Sequence, residues 1–215
     1  RSRGLGDVYK RQVLNLSVWS MLHAFISVAP WFLFFVAIEH LGKTELAISN
    51  ITRSVSAIFF VIANSFAVTT GSLVSNVIGA GARNELFPIC HKVLKLGYAV
   101  GIPFVVVALL CNRWIVSFYT DNELLIELAF APFVVMILNY TFALPGYVYL
   151  NAVGGTGKNK ITFLFQVTTT CVYLVYLYWL SFCIKASLSL YLTAEYLFVI
   201  LLALQSIIYL KSKHY

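Results

Sequence analysis

Arg53 is the charged side chain with the clearest capacity for chemistry, because it lies in an apolar helix about two turns after the predicted start near residue 45. A guanidinium at that depth is unfavourable unless it reaches water, a carboxylate or the carbonyl groups of a helix end. Two interpretations remain open. The side chain either extends back to the polar end of its helix, or it faces a cavity and pairs with Glu39 or with an acid outside this sequence.

Amide, hydroxyl and imidazole side chains recur at helical spacing in the other apolar segments. In the first segment, His23 and Ser27 lie on one face with Ser20 and Trp31. This face is either the wall of a cavity containing a titratable histidine, or a surface where small residues form hydrogen bonds between packed helices. The remaining candidates for a polar pathway are in the second and fourth segments: Asn64, Asn139, Tyr140, Tyr147 and Asn151.

Pro145 and Gly146 stand in the middle of the fourth apolar segment. Proline removes a backbone donor and clashes with the preceding turn, so we expect a kink that frees carbonyl groups at this point. Interrupted helices near the middle of a membrane commonly line binding sites in transporters. A kink that serves only the packing of the helix is the alternative.

The sequence lacks the motifs of an enzyme. It contains neither HExxH nor GxSxG, and it has no pair of carboxylates within one apolar segment. The GGTGK run at 154–158 lacks the spacing and the preceding strand of a phosphate-binding loop, and the four cysteines lack metal-ligand spacing. We therefore predict no catalytic residue, no metal site and no organic cofactor.

Long uncharged stretches determine the fold class. Residues 12–38, 54–82, 96–112, 128–157 and 161–184 contain no Asp, Glu, Lys or Arg, and 186–210 contains only Glu195. The chain is 60% hydrophobic and 11% charged, and about 20 helical residues cross a hydrocarbon layer of about 30 Å. These features predict an all-α polytopic membrane protein with six transmembrane helices, at about 14–41, 45–78, 88–112, 122–153, 159–184 and 187–210.

The first twelve residues differ in character from the rest of the chain. The segment RSRGLGDVYKRQ is polar, the chain begins with Arg1, and Met21 already lies inside the first apolar stretch. We interpret 1–12 as a non-native leader or a loop and the chain as a fragment. Residues 13–211 are predicted to form one six-helix unit, followed by a cytoplasmic tail at 212–215.

The charge pattern predicts the orientation in the membrane. The net charge is +7, but the basic residues stand at the ends of helices and form no patch for nucleic acid. They are concentrated in the even loops and at both termini, which predicts cytoplasmic termini. We expect the membrane to be the cytoplasmic membrane of a bacterium. Glycines at two predicted helix ends agree with turns there, namely Gly79, Gly81, Gly154, Gly155 and Gly157.

Two motifs resemble the multidrug and toxic compound extrusion (MATE) transporters. One is the passage that opens with LGKTEL at 41–46 and closes with LVSNVIGAG at 73–81, which resembles the region of the eighth helix in that family. The other is NAVGGTGKNK at 151–160, which resembles the glycine-rich turn after the tenth helix. The resemblance covers about 13–211 and implies helices seven to twelve, one lobe of a twelve-helix protein whose two lobes enclose the substrate.

The resemblance implies an antiporter that exports organic, often cationic compounds in exchange for Na⁺ or H⁺ by alternating access. Its expected partners are the lipid bilayer, a small-molecule substrate and the missing N-terminal lobe. Where members of the family carry acids in this lobe, this sequence has apolar residues near Ile26 and Ala143. Without a carboxylate in the middle of the membrane here, coupling would rest mainly on acids of the other lobe.

Two alternatives to export remain. A lipid-linked sugar flippase of the same superfamily shares the two-lobe architecture and favours cavity cations such as Arg53. A membrane-embedded enzyme or a structural membrane subunit is the other. An enzyme would be distinguished by catalytic residues clustered at an interface, where His91 beside Lys92 has no carboxylate nearby in sequence.

Overall fold

The described part of the chain folds into a bundle of crossing helices. The segment Glu123–Gly155, which is divided into two helices, lies at its centre. The computed structural model describes residues 18, 21–22, 25–26, 28–184 and 186–212, without the side chains of 183 and 184. The helices in this part of the chain are α1 (Val28–Leu41), α2 (Lys43–Gly79), α3 (Leu86–Leu110), α4 (Asn112–Ser117), α5 (Glu123–Leu138), α6 (Tyr140–Gly155), α7 (Asn159–Trp179) and α8 (Leu188–Lys211).

Three shorter elements complete the backbone. The last three residues of α1, Glu39–Leu41, form a 3-10 turn, and another such turn, Arg83–Glu85, precedes α3. A π-helical turn, Leu180–Ile184, extends α7. The predicted leader 1–12 and the residues from 213 onward lie outside the described residues.

Five helical segments are long and apolar enough to cross a membrane, and Val28–Leu41 adds a shorter apolar helix. The five are Lys43–Gly79, Arg83–Leu110, Glu123–Gly155, Asn159–Phe182 and Leu188–Lys211. These five correspond to the second to sixth predicted transmembrane helices. The first predicted helix, at about 14–41, is represented by α1. The predicted all-α, polytopic membrane fold is confirmed.

Helix α6 occupies the centre of the bundle, with its most extensive contacts to α2 and α8. Glycines make this close packing possible. A Cβ atom at Gly155 would lie 2.5 Å from the backbone oxygen of Gly71 on α2, and one at Gly146 would lie 2.7 Å from the backbone oxygen of Val199 on α8. Ser75 also donates a hydrogen bond of 2.9 Å to the Gly155 carbonyl across the first of these crossings.

The interruption of the fourth predicted span lies at Asn139, six residues before Pro145, and α6 continues through Pro145. The sequence predicted a kink at Pro145 and gave no sign of this interruption. The Asn139 N–H turns to the Ile137 carbonyl, so the Val135 carbonyl four residues earlier loses its helical donor. The hydroxyl of Tyr196 on α8 donates a short hydrogen bond to that carbonyl, which satisfies a partly buried acceptor.

Pro145 has a second effect on the same segment. Because proline has no N–H, the carbonyl of Thr141 one turn earlier cannot form its helical hydrogen bond. The hydroxyl of Tyr98 on α3 donates to this carbonyl over 2.7 Å. Tyrosines from two neighbouring helices therefore stabilise the broken segment.

The predicted glycine turns stand at the ends of two helices. Gly79 is the last residue of α2, and Gly154 and Gly155 are the last two residues of α6. Gly81 and Gly157 follow these ends and have φ angles of 75° and 82°, in the left-handed region where a side chain is strained. The left-handed conformation expected at these helix ends is therefore taken by Gly81 and Gly157.

Candidate functional site

The buried charge of Arg53 is matched by a carboxylate from the last helix. Its Nη2 atom donates to Oε1 of Glu195 over 2.6 Å, and the two residues are 142 positions apart in sequence. The side chains are 3% and 11% exposed. At a rise of 1.5 Å per residue, Arg53 lies about 15 Å along α2 and Glu195 about 10 Å along α8. The ion pair is therefore well inside both spans.

Aromatic side chains surround the guanidinium. Its central carbon lies 4.0 Å from the ring centroid of Phe34, 4.8 Å from that of Trp31 and 5.3 Å from that of Phe35, all on α1. Such cation–π contacts strengthen when the cation is desolvated. The hydroxyl of Tyr173 on α7 donates to the same Oε1 atom of Glu195 over 3.2 Å. Four helices thus converge on the ion pair.

This arrangement corrects the predicted partner of Arg53. Glu39 is exposed in the final turn of α1, while Glu195 is buried and close enough for an ion pair. It also corrects the expectation that this lobe has no carboxylate inside the membrane. The signal was in the sequence, because Glu195 is the one charged residue of the stretch 186–210.

A small cavity of about 40 Å³ lies next to the ion pair. It has room for one or two water molecules. Polar groups reach it from Glu195, Ser56 and Asn139, and aromatic residues form much of the remaining wall: Trp31, Phe59, Phe60, Tyr140 and Tyr147. The cavity therefore combines a carboxylate, an amide and a hydroxyl with a largely aromatic surface.

Three of the predicted pathway residues meet in this cavity. Asn139 lies at the break between α5 and α6, and its Oδ1 atom is buried with no hydrogen-bond partner in the described part of the chain. Tyr140 packs over Gly101 of α3 and donates to the Gly97 carbonyl over 2.7 Å. Tyr147 stacks edge-on against Phe60, with ring centroids 5.6 Å apart.

The other predicted pathway residues are elsewhere. Asn64 is exposed on α2, and Asn151 donates to the Tyr147 carbonyl one turn earlier, away from the cavity. His23 and Ser27 lie outside the described residues, so their predicted role stays a prediction. Sequence reasoning missed Ser56, Phe59, Phe60 and Met136, because apolar and small residues in a membrane helix carry no signal that separates a cavity wall from ordinary packing.

The geometry defines a neutral polar site within one lobe. Arg53 and Glu195 compensate one another, and the aromatic rings exclude water from the guanidinium. Removing either partner would leave an uncompensated buried charge, which is strongly unfavourable. The pair therefore ties α2 to α8 and presents the carboxylate at the edge of the cavity.

Comparison with known proteins identifies the class to which this fold belongs. The family model MatE matches residues 20–179. The match covers more than half of the chain, and the chain belongs to the MatE family of transporters. No match was found among the curated proteins.

Solved structures of MATE transporters share the fold. A crystal structure of MATE in the bent conformation superposes with a TM-score of 0.80 at 16% identity, over 93% of this chain and 45% of that chain. An outward-facing multidrug resistance MATE family transporter of the MOP superfamily gives 0.80 at 17% identity, over 94% and 45%. A MOP superfamily transporter from Pyrococcus furiosus, whose binding pocket has been described as reversed in polarity, gives 0.74 at 16% identity, over 91% and 43%. The chain thus spans less than half the length of these transporters.

Proposed function

We propose that this chain is one lobe of a secondary active transporter that exports organic, often cationic compounds in antiport with Na⁺ or H⁺ by alternating access. Membership of the MatE family supports transport as the activity. The observation that carries the proposal furthest is the cavity beside Glu195. Its aromatic rings attract organic cations. Because a cavity of about 40 Å³ holds only water molecules, this wall would contact a substrate as part of the larger cavity between the two lobes.

The broken segment supports alternating access. Asn139 separates α5 from α6 at the wall of the cavity, and the two freed carbonyls are held by hydroxyls of Tyr98 and Tyr196. Interrupted helices at a binding site are a common feature of transporters that rock one bundle against another. A segment held by side-chain hydroxyls can change its bend by exchanging individual hydrogen bonds.

The flippase alternative depends on an uncompensated cavity cation for binding a phosphate-linked substrate. The pairing of Arg53 with Glu195 neutralises that cation. Within the described residues of the cavity wall, Glu195 is the one charged side chain. This favours export of a neutral or cationic compound over movement of an anionic lipid-linked sugar.

The proposal is tested by measuring export of ethidium, a fluorescent organic cation, by the full-length protein in proteoliposomes. An imposed Na⁺ gradient and an imposed pH gradient are applied separately at equal ionic strength. We expect one of the two gradients to drive ethidium movement against its own gradient. Movement that ignores both gradients, or is seen equally in protein-free liposomes, would contradict antiport.

A lipid-linked sugar is the comparison substrate in the same liposomes. Flipping of a fluorescent lipid-linked oligosaccharide without any ethidium movement would replace export by the flippase function. Equal reconstitution of the protein in all samples is checked by immunoblot.

A further inference from the structure

The carboxylate of Glu195 is engaged on one side only. Both hydrogen bonds that it receives, from Arg53 and from Tyr173, converge on Oε1. Its other oxygen, Oε2, accepts no hydrogen bond from the residues that the structure describes, and Glu195 lines the cavity. Asn139 lines the same cavity, and its amide oxygen, Oδ1, is buried and also lacks a partner among those residues.

We propose that Arg53 serves as the resident cation of Glu195 and keeps Na⁺ from binding at this carboxylate. Glu195 and the Asn139 amide oxygen then form a latent cation site, which becomes available to a free cation only when the Arg53 side chain is removed. In the framework of the proposed antiport, which this inference deepens, the coupling ion binds to carboxylates outside this pair.

The physical basis is competition between a tethered cation and a free one. The guanidinium is fixed 2.6 Å from Oε1 and is enclosed by three aromatic rings of α1. It is more weakly hydrated than a compact cation, so it gives up less hydration on burial. A Na⁺ ion would have to lose its hydration shell and then share the carboxylate with a positive charge already in place, which is unfavourable in a medium of low dielectric constant.

The ligands of the latent site suit Na⁺ once Arg53 is removed. Small hard cations are bound by carboxylate, amide and water oxygens, and the cavity of about 40 Å³ has room for an ion with a water molecule. An unpaired carboxylate at this depth is strongly unfavourable and gains from any cation that reaches it. Loss of Arg53 should therefore convert the site into one that responds to Na⁺.

The test is thermal unfolding of the full-length protein in detergent at pH 8, in NaCl and in N-methylglucamine chloride of equal concentration. The Na⁺ effect on Tm, the difference between the two salts, should be the same in the wild type and in Glu195→Gln, because any coupling ion binds outside the pair. Arg53→Gln should have a lower Tm than wild type, and its Na⁺ effect should exceed that of the wild type by at least about 2 °C. In the double variant Arg53→Gln/Glu195→Gln, the Na⁺ effect should return to the wild-type value.

A matched control comes from the exposed ion pair Arg113–Glu123, whose atoms Nη2 and Oε2 are 2.7 Å apart. Arg113→Gln also removes one cation from a carboxylate, but both groups are solvated, so no Na⁺-specific change in Tm is expected. If Arg53→Gln does not fold, Arg53→Met replaces it as a variant that fills the aromatic enclosure.

Two outcomes would overturn the inference. One is a Na⁺-specific rise in Tm in the wild type that Glu195→Gln abolishes, because Glu195 would then bind Na⁺ with Arg53 in place. The other is a folded Arg53→Gln variant whose Na⁺ effect on Tm is no larger than that of the wild type, because the freed carboxylate would then not be a cation site. Neither result depends on transport, so failure of the proposed antiport is recognised separately in the liposome assay.

Discussion

At the scale of single residues, the structure assigns a role to a hydroxyl that the sequence did not single out. Tyr173 is fully buried, donates to Oε1 of Glu195 and stacks edge-on against Phe198. Tyr173→Phe keeps the ring and removes only a hydrogen bond to a charged group. We expect it to lower the free energy of unfolding by about 1.5–3 kcal/mol, measured by denaturant unfolding of the full-length protein.

Tyr176→Phe is the matched control for this substitution. Tyr176 lies one turn further along α7 and bonds to the Thr193 hydroxyl of α8 over 3.0 Å, so its partner is neutral and only partly buried. We expect a smaller loss, about 0.5–1.5 kcal/mol. Equal losses for the two variants would contradict the charge-assisted hydrogen bond from Tyr173 to Glu195.

The chemistry of the site was only partly predictable at this scale. Arg53, Asn139, Tyr140 and Tyr147 were identified as candidates because polar groups are unfavourable in lipid unless they have a partner. The identity of the partner was not predictable, because Glu195 is 142 residues away from Arg53 and nothing in local spacing connects α2 to α8. Glu39 was a plausible partner by sequence proximity, but the bundle holds it at the surface.

At the scale of elements, the broken segment α5–α6 depends on two hydroxyl groups. Tyr98→Phe removes the donor to the Thr141 carbonyl, which Pro145 leaves without a helical partner. We expect this substitution to lower the free energy of unfolding by about 0.5–1.5 kcal/mol, because a partly buried acceptor loses its donor. The measurement is the unfolding midpoint of the full-length protein in detergent.

Pro145→Ala supplies the background that tests this explanation. Alanine restores an N–H that can bond to the Thr141 carbonyl, so Tyr98→Phe should cost markedly less in the Pro145→Ala protein. The same cost in both backgrounds would show that the Tyr98 hydroxyl does not compensate for the proline.

The sequence identified Pro145 as a source of free carbonyls. The break at Asn139 has no such signal, because asparagine is tolerated within helices.

The crossing of α2 and α6 gives a prediction about packing. Gly155→Ala would place a Cβ atom 2.5 Å from the Gly71 backbone oxygen, where no side chain can move aside. We expect the free energy of unfolding to fall by about 1–3 kcal/mol. The measurement is the fraction of protein that elutes as a monodisperse peak in detergent, which should be lower than for the wild type.

Gly79→Ala is the control, because a Cβ atom there meets nothing within 4 Å. It should leave the elution profile unchanged. An elution profile of Gly155→Ala that matches that of Gly79→Ala would contradict the close crossing of α2 and α6. The sequence indicated a turn at Gly155, and only the three-dimensional arrangement shows that its lack of a side chain serves packing.

At the scale of the whole molecule, the all-α membrane architecture followed directly from the uncharged stretches, because each is long and apolar enough to cross a membrane as a helix, which satisfies its own backbone groups in lipid. The relative placement of the helices did not follow, since apolar residues face both lipid and protein.

The orientation across the membrane stays a prediction based on charge. In a cysteine-free background, Asn122→Cys should react with a membrane-impermeant maleimide in intact cells, and Asn84→Cys should react only after permeabilisation. The opposite pattern would invert the topology.

The central claim is that Arg53 and Glu195 act as one compensated unit within a transporting lobe. The measurement that tests it most directly is gradient-driven ethidium export by the full-length protein in proteoliposomes, with Arg53→Gln, Glu195→Gln and the double variant at equal protein content. We predict that each single variant loses most of the export and that the double variant exports about tenfold more than either, a coupling of about 1.4 kcal/mol. A double variant that is folded but exports no more than the single variants would contradict the claim, because each side chain would then act separately.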